Sequence, residues 1–314
     1  MKKKVFLTGR LHDVIQRDLK KRYKTVIHTG KMPVSRAELL RRVRGAEGLV
    51  CFPFDRIDRE VMDAADLQVI STYSVGIDHI DTAYAKKKGI KIGYTPDVLD
   101  DATADLAFCL MLDVMRRVTE GDRMIRQGRW SGALGAYDYT GYGMQEKTLG
   151  IIGMGRIGSA LAKRATAFGM KVIYHNRHRI KDSTMRYASF DRIISDSDVI
   201  SLHVPHTKDT NGMIHAGVLE KMKPTVFLIN TSRGAVINER DLIAALRRKR
   251  IAGAGLDVFC SEPVGKRHPL AGLQNVVLSP HIGSATAETR LKMAEIAARN
   301  LHLGMAGRKP RYSV

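Results

Sequence analysis

Three short segments of the chain each carry a polar side chain directly after an apolar run that predicts a β-strand. In an open α/β sheet, ligands bind at the carboxyl ends of the strands. A guanidinium can bind a carboxylate through paired hydrogen bonds, and an imidazole can donate or accept a proton. The three side chains are those of Arg233 in Asn230–Gly234, Glu262 in Ser261–Pro263 and His281 in Ser279–Ser284. Together they could bind a small 2-oxo acid and protonate the oxygen on which charge develops during its reduction.

A glycine-rich loop stands between a predicted strand and a helical pattern. Its glycines, Gly153, Gly155 and Gly158, have the spacing G-x-G-x-x-G. The first glycine permits a tight turn, the second lets the backbone approach a pyrophosphate, and the third lets the helix pack close to the strand. The N–H groups at the helix start then face the phosphates. With strand, loop and helix in this order, the segment predicts dinucleotide binding.

The end of the next predicted strand indicates which dinucleotide is bound. NAD-binding loops carry an Asp or Glu there for the adenosine ribose, whereas the run His175–Arg179 contains no carboxylate. Arg177 and Arg179, following Asn176, could instead pair with a 2′-phosphate through charge-assisted hydrogen bonds. We therefore expect NADP(H) to be favoured over NAD(H). A solvated basic loop on a basic protein is the alternative interpretation.

Short strands alternate with helical patterns along two stretches of the chain, which predicts two parallel sheets. A buried helix over Asp100–Arg117 and an irregular arm over Gly128–Gly143 separate these stretches, and a helix over Glu288–Leu303 is expected to return to the first domain. The predicted strands are Val5–Leu7, Thr25–His28, Gly48–Cys51, Val69–Thr72, Lys91–Tyr94, Leu149–Ile152, Lys171–Tyr174, Val199–Leu202, Val226–Ile229, Gly255–Val258 and Val276–Leu278.

Length and composition are those of an ordinary globular protein. The 314 residues suggest two domains, and 44% are apolar while 27% are charged. The N-terminal apolar run is too short for a secretory signal, and the longest apolar stretch, Leu106–Leu112, is too short to cross a bilayer. Three unpatterned cysteines predict neither a disulfide framework nor a metal site. We expect a cytoplasmic protein without a membrane span.

The net charge of +20 is unusual. Residues 1–44 contain 14 Lys or Arg against 3 Asp or Glu, a local excess of +11. These cations lie between apolar strands, and they do not form an Arg-rich arm with interleaved aromatic residues. A solvated face is therefore favoured over a nucleic-acid site. A nucleic-acid role is the less favoured alternative that the charge keeps open.

The chain resembles the D-isomer-specific 2-hydroxy-acid dehydrogenases, particularly the glyoxylate/hydroxypyruvate reductase branch. The resemblance extends over nearly the full length and rests on the order and spacing of several motifs besides the glycine-rich loop. These motifs are YSVGIDHID (73–81), VLDDATADLAF (98–108), HVPHTKDTNGMI (203–214), INTSRG (229–234), GAGLDVF (253–259), SEP (261–263) and SPHIGSAT (279–286).

The resemblance implies the fold and the domain organisation. Both domains are expected to be doubly wound parallel α/β units, Rossmann-like or flavodoxin-like, with a cleft between them. Residues 1–97 and 286–314 would form the substrate domain, and residues 98–285 the dinucleotide-binding domain. Closure of a hinge between them, expelling water before hydride transfer, is a further expectation.

The resemblance also implies a role for each candidate residue. His281 would donate the proton in reduction and accept it in oxidation, while Glu262 would bond the imidazole and favour its charged form. Arg233 would bind the substrate carboxylate, together with the backbone N–H groups of Val75 and Gly76. Cofactor contacts are implied for Arg156 and Ile157 at the pyrophosphate, Thr103 near the phosphates, Val204 and Pro205 beside the adenine, Asp257 at the carboxamide, and Thr231 and Gly283 near the nicotinamide.

The resemblance also bears on the oligomeric state, the substrate and the alternative functions. Trp130, the only tryptophan, lies in the arm that relatives use in dimer contacts, so a homodimer is expected; a loop anchored by this ring is the alternative. His203 and His206 lack further ligands nearby, and we expect no metal. Glyoxylate or hydroxypyruvate is the expected substrate, reduced to the D-2-hydroxy acid. A 2-ketogluconate reductase, a phosphite dehydrogenase and a cofactor-sensing binding module remain alternatives.

Overall fold

The computed structural model describes residues 2–181 and 184–314, which form two compact α/β units. Unit 1 comprises residues 1–99 and 285–314, and unit 2 comprises residues 100–284. Each unit is built on one parallel sheet, so the predicted fold class is confirmed. Within the described ranges, no helix combines the length and the apolarity that crossing a membrane requires.

Unit 1 holds a five-stranded parallel sheet with the order β2-β1-β3-β4-β5. Its helices run from the carboxyl edge of the sheet back to the amino edge, as parallel connections require. The strands are β1 (Lys4–Leu7), β2 (Lys24–Ile27), β3 (Gly48–Cys51), β4 (Val69–Thr72) and β5 (Lys91–Gly93). The helices are α1 (Asp13–Arg22), α2 (Arg36–Val43), α3 (Arg59–Asp63), α4 (Thr82–Lys87) and the returning α11 (Ala287–Met305).

Both faces of this sheet are covered. Alternate strand residues, such as Leu49 and Ile70, pack into a cluster with α2, α3 and α4. The opposite face packs against α11, where the hydroxyl of Ser71 donates to the carbonyl oxygen of Ala297 at 2.8 Å. Near-continuous apolar strands are typical of a parallel sheet that is buried on both sides.

Unit 2 holds a seven-stranded parallel sheet with the order β12-β11-β10-β9-β6-β7-β8. The strands are β6 (Thr148–Ile152), β7 (Lys171–His175), β8 (Arg186–Tyr187), β9 (Val199–Leu202), β10 (Phe227–Asn230), β11 (Gly253–Leu256) and β12 (Val276–Leu278). The helices are α5 (Asp100–Arg116), α6 (Val118–Arg126), α7 (Arg156–Ala167), α8 (Phe190–Asp196), α9 (Ala216–Leu219) and α10 (Glu239–Arg247), with 3₁₀ turns at Gly234–Val236 and Pro269–Gly272.

The chain order reverses between β6 and β9, so the loops that follow these two strands diverge at the point where such sheets bind ligands. One apolar cluster packs α5 and α7 on one face of the sheet, and a second packs α8, α9 and α10 on the other. The glycine-rich loop follows β6, and the turn that holds Arg233 follows β10. The fold therefore brings both to one edge of the same sheet.

The structure adds two elements that the pattern did not predict and shifts a third. Helix α6 lies between the predicted helix and the arm, and none of its residues is buried. Strand β8 has two residues at the sheet edge. Strand β11 begins two residues before the predicted strand and ends at Leu256. The next residue, Asp257, lies in the loop after the strand, where its side chain accepts a hydrogen bond from the backbone N–H of Ile282.

Candidate active site

The turn after β10 is held by the side chain of Asn230, which is fully buried. Its Oδ1 accepts hydrogen bonds from the backbone N–H of Ser232 at 3.0 Å and from the hydroxyl of that residue at 2.8 Å. Its Nδ2 donates to the carbonyl oxygen of Arg233 at 2.9 Å. A buried amide bonded within one turn restricts that turn to a single backbone path. Asn230 thereby positions Arg233, whose Nη1 donates to the carbonyl oxygen of Ser232 at 2.8 Å.

Gly234 brings this turn into direct contact with the loop after β11. A Cβ on Gly234 would lie 1.9 Å from the carbonyl carbon of Phe259 and 2.5 Å from the backbone nitrogen of Cys260. Only glycine can occupy such a position without moving backbone. The backbone N–H of Phe259 in turn donates to Oε1 of Glu262 at 2.9 Å. The backbone at Arg233 and the carboxylate of Glu262 are thus positioned against the same short segment.

Glu262 and His281 form the hydrogen bond that the family resemblance implies. Nδ1 of His281 lies 2.7 Å from Oε2 of Glu262, and the two side chains are 25% and 18% exposed. A carboxylate at Nδ1 sets the orientation of the ring and stabilises the imidazolium form. The other ring nitrogen, Nε2, takes no part in this contact.

Asp257 holds the loop that carries His281. Its Oδ1 accepts hydrogen bonds from the hydroxyl of Ser279 at 2.6 Å and from the backbone N–H of Ile282 at 2.8 Å, and its Oδ2 accepts from the N–H of Gly283 at 2.8 Å. Its carbonyl oxygen accepts from the N–H of His281 at 2.9 Å. Burial of this carboxyl group raises the pKa of Asp257. Its predicted place at the nicotinamide carboxamide stays a prediction.

His281 has a left-handed backbone, with φ at 54°. This region is uncommon for a residue other than glycine and is occupied only where the surroundings impose it. The bonds from Asp257 supply that constraint. The imidazole is therefore presented from a turn whose shape depends on a buried carboxylate in a distant part of the sequence.

Two further predicted residues lie against the same loop. A Cβ on Gly283 would lie 3.2 Å from Oδ2 of Asp257 and 3.3 Å from Cγ2 of Thr103, which is buried in α5. Thr231, beside Arg233, has a buried Oγ1 without a hydrogen-bond partner among the described residues. A buried hydroxyl of this kind is costly unless a ligand or water bonds it. Ser197 and Arg250 are the other described residues of this unit with a buried polar atom that lacks a partner, and Thr231 is the one of the three that lies at a predicted ligand position.

The glycine-rich loop has the geometry that its spacing predicts. Gly153 has φ at 100°, and a Cβ there would lie 2.7 Å from the carbonyl carbon of His203. A Cβ on Gly158 would lie 2.5 Å from the carbonyl oxygen of Gly153. Gly155 precedes α7 and has open space where its side chain would be. The first and third glycines serve backbone packing, and the second leaves room in front of a helix N-terminus for phosphates.

We expect Gly153→Ala and Gly155→Ala to have different effects. Gly153→Ala forces a left-handed alanine against backbone and should lower the free energy of unfolding by about 2–4 kcal/mol. Gly155→Ala meets no protein atom, so thermal stability should hold while dinucleotide affinity falls by about 10-fold or more. Thermal unfolding and titration of the intrinsic fluorescence with cofactor separate the two. Equal loss of stability in both variants would contradict this division of roles.

Asn176 acts on the glycine-rich loop as well. Its Oδ1 accepts from the backbone N–H of Met154 at 2.6 Å. Arg177 and Arg179, which follow it, are exposed, and neither has a carboxylate partner in the part of the chain that the structure describes. Arg156, at the start of α7, has its Nε 3.1 Å from Oδ2 of Asp100. Ile157 follows it and packs partly against the core.

The loop after β9 contains the remaining cofactor candidates and the two histidines. Val204 is partly buried against the core, and Pro205 is exposed. Nε2 of His203 lies 2.8 Å from the hydroxyl of Ser201, and burial lowers the pKa of this ring to about 4. Nε2 of His206 lies 3.0 Å from Oδ1 of Asn211. Across residues 2–181 and 184–314, no group of three or more metal-ligating side chains is present.

Val75 and Gly76 lie in unit 1, in the turn that follows β4. The hydroxyl of Ser74 bonds that of Thr72 at 2.7 Å and donates to the carbonyl oxygen of Gly76 at 2.6 Å. Among the described residues, the backbone N–H groups of Val75 and Gly76 have no acceptor. Hydrogen bonds of the Ser74 hydroxyl thus hold this turn, and the two backbone donors take no part in them.

Comparison with known proteins gives the family. Residues 108–283 match the family described as D-isomer specific 2-hydroxyacid dehydrogenase, NAD binding domain. The glyoxylate reductase of Thermofilum pendens is 46% identical over 314 residues, which cover 98% of this chain and 93% of that protein. The chain belongs to the D-isomer specific 2-hydroxyacid dehydrogenases. The family predicted from the motifs is confirmed, and with it an NAD(P)-dependent oxidoreductase.

Two solved structures are similar to this chain over nearly its full length. A protein from Thermus thermophilus has a TM-score of 0.94 at 44% identity and covers 99% of each chain. An NADPH-dependent glyoxylate/hydroxypyruvate reductase from Sinorhizobium meliloti, in complex with NADP and malonate, has a TM-score of 0.87 at 30% identity and covers 100% of this chain and 97% of that one.

The dehydrogenase site includes supporting residues that the sequence did not single out. Asn230 and Gly234 belong to the quoted motif INTSRG, but only the fold shows what they hold. Glu239, in α10, accepts from the backbone N–H of Cys260 at 3.2 Å and lies 3.1 Å from Nε2 of His268. An acidic residue in the first turn of a helix has an ordinary capping explanation, so no local signal marks this role.

Proposed function

We propose that this dehydrogenase reduces small 2-oxo acids, glyoxylate and hydroxypyruvate foremost, with NADP(H) as the favoured cofactor. The observation that carries the proposal is the His281–Glu262 pair, set beside the Arg233 turn on the sheet that also bears the glycine-rich loop. Its relatives include a glyoxylate reductase and a glyoxylate/hydroxypyruvate reductase, which supports the choice of substrate.

The residues present fit a nicotinamide dinucleotide. The open space at Gly155, the backbone packing of Gly153 and Gly158, and the buried Thr231 hydroxyl are the features that such a ligand would use. When bound, the cofactor supplies a hydride to the 2-oxo carbon. The remaining cofactor contacts proposed from the motifs are Thr103, Arg156, Ile157, Asn176, Arg177, Arg179, Val204, Pro205, Asp257 and Gly283.

The chain's own side chains do the rest of the chemistry. Arg233 binds the substrate carboxylate, because its planar guanidinium can donate to both carboxylate oxygens. It also polarises the 2-oxo group, where negative charge develops. His281 donates a proton from Nε2 to the oxygen that becomes the hydroxyl, and Glu262 stabilises the imidazolium before transfer. In oxidation the same ring accepts the proton. The N–H groups of Val75 and Gly76 are proposed as further carboxylate donors, since no acceptor in the described part of the chain satisfies them.

A steady-state panel tests the substrate. Glyoxylate, hydroxypyruvate, pyruvate, 2-ketogluconate and phosphite are each assayed with both cofactors. We expect kcat/KM to be highest for glyoxylate or hydroxypyruvate. A higher value for 2-ketogluconate or phosphite would contradict the substrate assignment, and absence of turnover with every compound would favour a binding module instead.

The cofactor preference is proposed from the exposed guanidinium groups of Arg177 and Arg179. We expect kcat/KM for NADPH to exceed that for NADH, since a 2′-phosphate gains charge-assisted hydrogen bonds that a ribose hydroxyl does not. In R177A/R179A the NADPH value should fall by about 10-fold or more while the NADH value changes little. Arg192→Ala, an exposed cation on α8, is the matched control. A wild-type preference for NADH contradicts the proposal.

The homodimer is proposed from the surface of α6 and the arm. Among the described residues, six of the eleven large apolar side chains that are exposed fall within residues 118–142. Trp130 is 57% exposed and Tyr137 is 92% exposed, so neither ring is anchored within its own chain. Clustered apolar exposure of this extent marks an interaction surface. A second copy of the chain is the partner that the family resemblance implies.

Substitutions in α6 and the arm test the homodimer in solution. I125D/W130S should raise the dimer dissociation constant by at least about 30-fold, because buried aromatic anchors dominate interface energies. Analytical ultracentrifugation measures it. Val14→Ser removes an equally exposed apolar side chain in unit 1 and should leave the assembly unchanged. Wild-type protein that sediments as a monomer overturns the proposal.

The two units have proposed roles that follow the motifs. Unit 2 carries the glycine-rich loop and the three reactive side chains, and unit 1 carries the Val75–Gly76 turn. We assign cofactor binding to unit 2 and a share of substrate binding to unit 1.

A cytoplasmic location stays a prediction.

A further inference from the structure

Parallel topology concentrates the positive charge of unit 1 at one edge of its sheet. Strands β1 to β5 all begin at the amino edge, and the helices between them end there. Fourteen cations lie at strand starts or helix ends along this edge. They are Lys2, Lys3, Lys4, Lys20, Lys21, Arg22, Lys24, Arg41, Arg42, Arg44, Lys86, Lys87, Lys88 and Lys91.

Hydrogen bonds across the sheet confirm that these segments meet. The backbone N–H of Lys24 donates to the carbonyl oxygen of Lys3 at 3.0 Å, and the ammonium group of Lys3 donates to Oε1 of Gln68 at 3.0 Å. The carbonyl oxygen of Gln68 accepts from the N–H of Lys91 at 3.1 Å. The ammonium group of Lys4 also bonds the carbonyl oxygen of Arg44 at the end of α2. The cations therefore form a row from β2 to β5 that is interrupted at the starts of β3 and β4, where Glu47 and Gln68 stand.

Carboxylates do not neutralise this row. Arg22, Arg41, Arg42 and Lys88 pair with Asp18, Glu38 and Asp63, and Glu47 and Asp66 are the other acids nearby, which leaves a net charge of +9. Within residues 2–181 and 184–314, the other ten cations have no salt bridge. Lys4 and Lys24 are direct partners in adjacent strands, and burial together with the Lys24 charge lowers the pKa of Lys4. The fold of unit 1 thus places positive charges side by side along this edge with too few carboxylates to neutralise them.

Helix stability explains only part of the pattern. Cations in the last turn interact favourably with the helix dipole, which accounts for Lys20, Lys21 and the Lys86–Lys88 run. It does not account for cations at strand starts, where the backbone dipole is small. At the carboxyl edge, Arg36, Arg56 and Arg59 each have a carboxylate partner, whereas Arg10 and Lys31 have no salt bridge among the described residues.

Although the sequence favours a solvated face for these cations, we propose from their placement in the fold that the amino edge of the unit 1 sheet binds the phosphate backbone of a nucleic-acid duplex without sequence preference. Five strands at the usual spacing span about 19 Å. A duplex carries one charge per about 1.7 Å of axis with both strands counted, so this length has about 11 phosphate charges around its circumference, and those on one side face the ten cations without a salt bridge. The Val75–Gly76 turn lies at the opposite edge of the sheet, so attraction of the anionic substrate does not require this row.

The side chains at this edge favour a duplex over a membrane surface. Peripheral membrane binding uses exposed apolar or aromatic side chains that insert below the headgroups. The large apolar side chains of described unit 1 residues that are exposed are Val14, Phe54 and Val314, and all of them lie at or near the carboxyl ends of strands. Tyr23, which lies among these cations, is partly buried and stacks on His302, so the described residues of this edge offer no exposed ring for stacking on single-stranded bases.

Fluorescence anisotropy with a short labelled DNA duplex of mixed sequence tests the proposal. Wild-type protein should bind with a micromolar dissociation constant, and log Kd should rise linearly with log salt between about 50 and 200 mM KCl. In K20E/K21E/K24E we expect affinity to fall by at least about 10-fold and the salt slope to decrease by about 3. K86E/K87E, on a different helix of the same edge, should act in the same direction.

The control reverses three exposed cations of unit 2, as K163E/R240E/R248E, and lowers the net charge by the same amount. We expect this variant to lose less than about 2-fold in affinity, and glyoxylate reduction to be unchanged in all variants that fold. Equal losses in the edge and control variants would show attraction by net charge alone and overturn the proposal. Failure of wild-type protein to bind the duplex, or binding to phosphatidylserine vesicles in its place, would also overturn it.

Discussion

Replacing His281 with alanine is expected to lower kcat for glyoxylate reduction by about 10²–10⁴, the usual contribution of a general acid. The ring has its Nδ1 bonded to Glu262 and is presented from a loop that Asp257 holds. Loss of the imidazole removes the proton donor without touching the glycine-rich loop. Cofactor affinity, measured by fluorescence titration, should therefore be retained.

The backbone at His281 dictates the better variant. With φ at 54°, alanine is strained there, whereas asparagine tolerates the left-handed region and can still bond Glu262. His281→Asn should give the same loss of kcat with less loss of thermal stability. Glu262→Gln retains an acceptor for the Phe259 N–H but removes the charge, and its kcat should fall between wild type and His281→Asn. Near-normal turnover by folded His281→Asn would remove this residue from the mechanism.

Arg233→Lys is expected to lower kcat/KM by about 10²–10³, comparable to the loss of a donor that stabilises developing negative charge. A lysine ammonium has the charge but cannot contact a carboxylate with two parallel N–H groups. The turn itself should survive, because Asn230 bonds its backbone and not the guanidinium group.

Chemical rescue separates binding from folding at this position. Added guanidinium should restore part of the activity of Arg233→Ala and should have no effect on His281→Asn. Arg240→Lys, an exposed change on α10, is the matched control and should retain wild-type kcat/KM. If Arg233→Lys keeps full kcat/KM with glyoxylate, the carboxylate must be bound elsewhere.

The regular elements were largely predictable. Apolar strands of three to five residues recur between helical patterns, and a parallel sheet buried on both faces imposes that rhythm. Helix α6 was not recognised because its sequence, VTEGDRMIR, combines a glycine with several charged residues, and none of its residues is buried. Strand β8 has only two residues, Arg186 and Tyr187, too few to show a period.

The hydrogen bonds of Asp257 could not be predicted from local sequence patterns. The family resemblance implies that Asp257 contacts the nicotinamide carboxamide, and that contact stays a prediction. The structure shows its carboxylate bonding backbone groups of Ile282 and Gly283, some 25 residues later in the chain. No short window contains both partners, so the bond could not be inferred before the fold was known.

Contiguous residues encode the glycine-rich loop, the order of the motifs and hence the family and its reaction, because turn chemistry and strand periodicity act over a few neighbouring positions. The left-handed turn at His281, the contact of Gly234 with Phe259 and the cationic row at the amino edge of the unit 1 sheet depend on tertiary structure. Each joins residues that are far apart in the chain. Strand order and helix direction decide which side chains meet there, and these follow from packing of the whole unit.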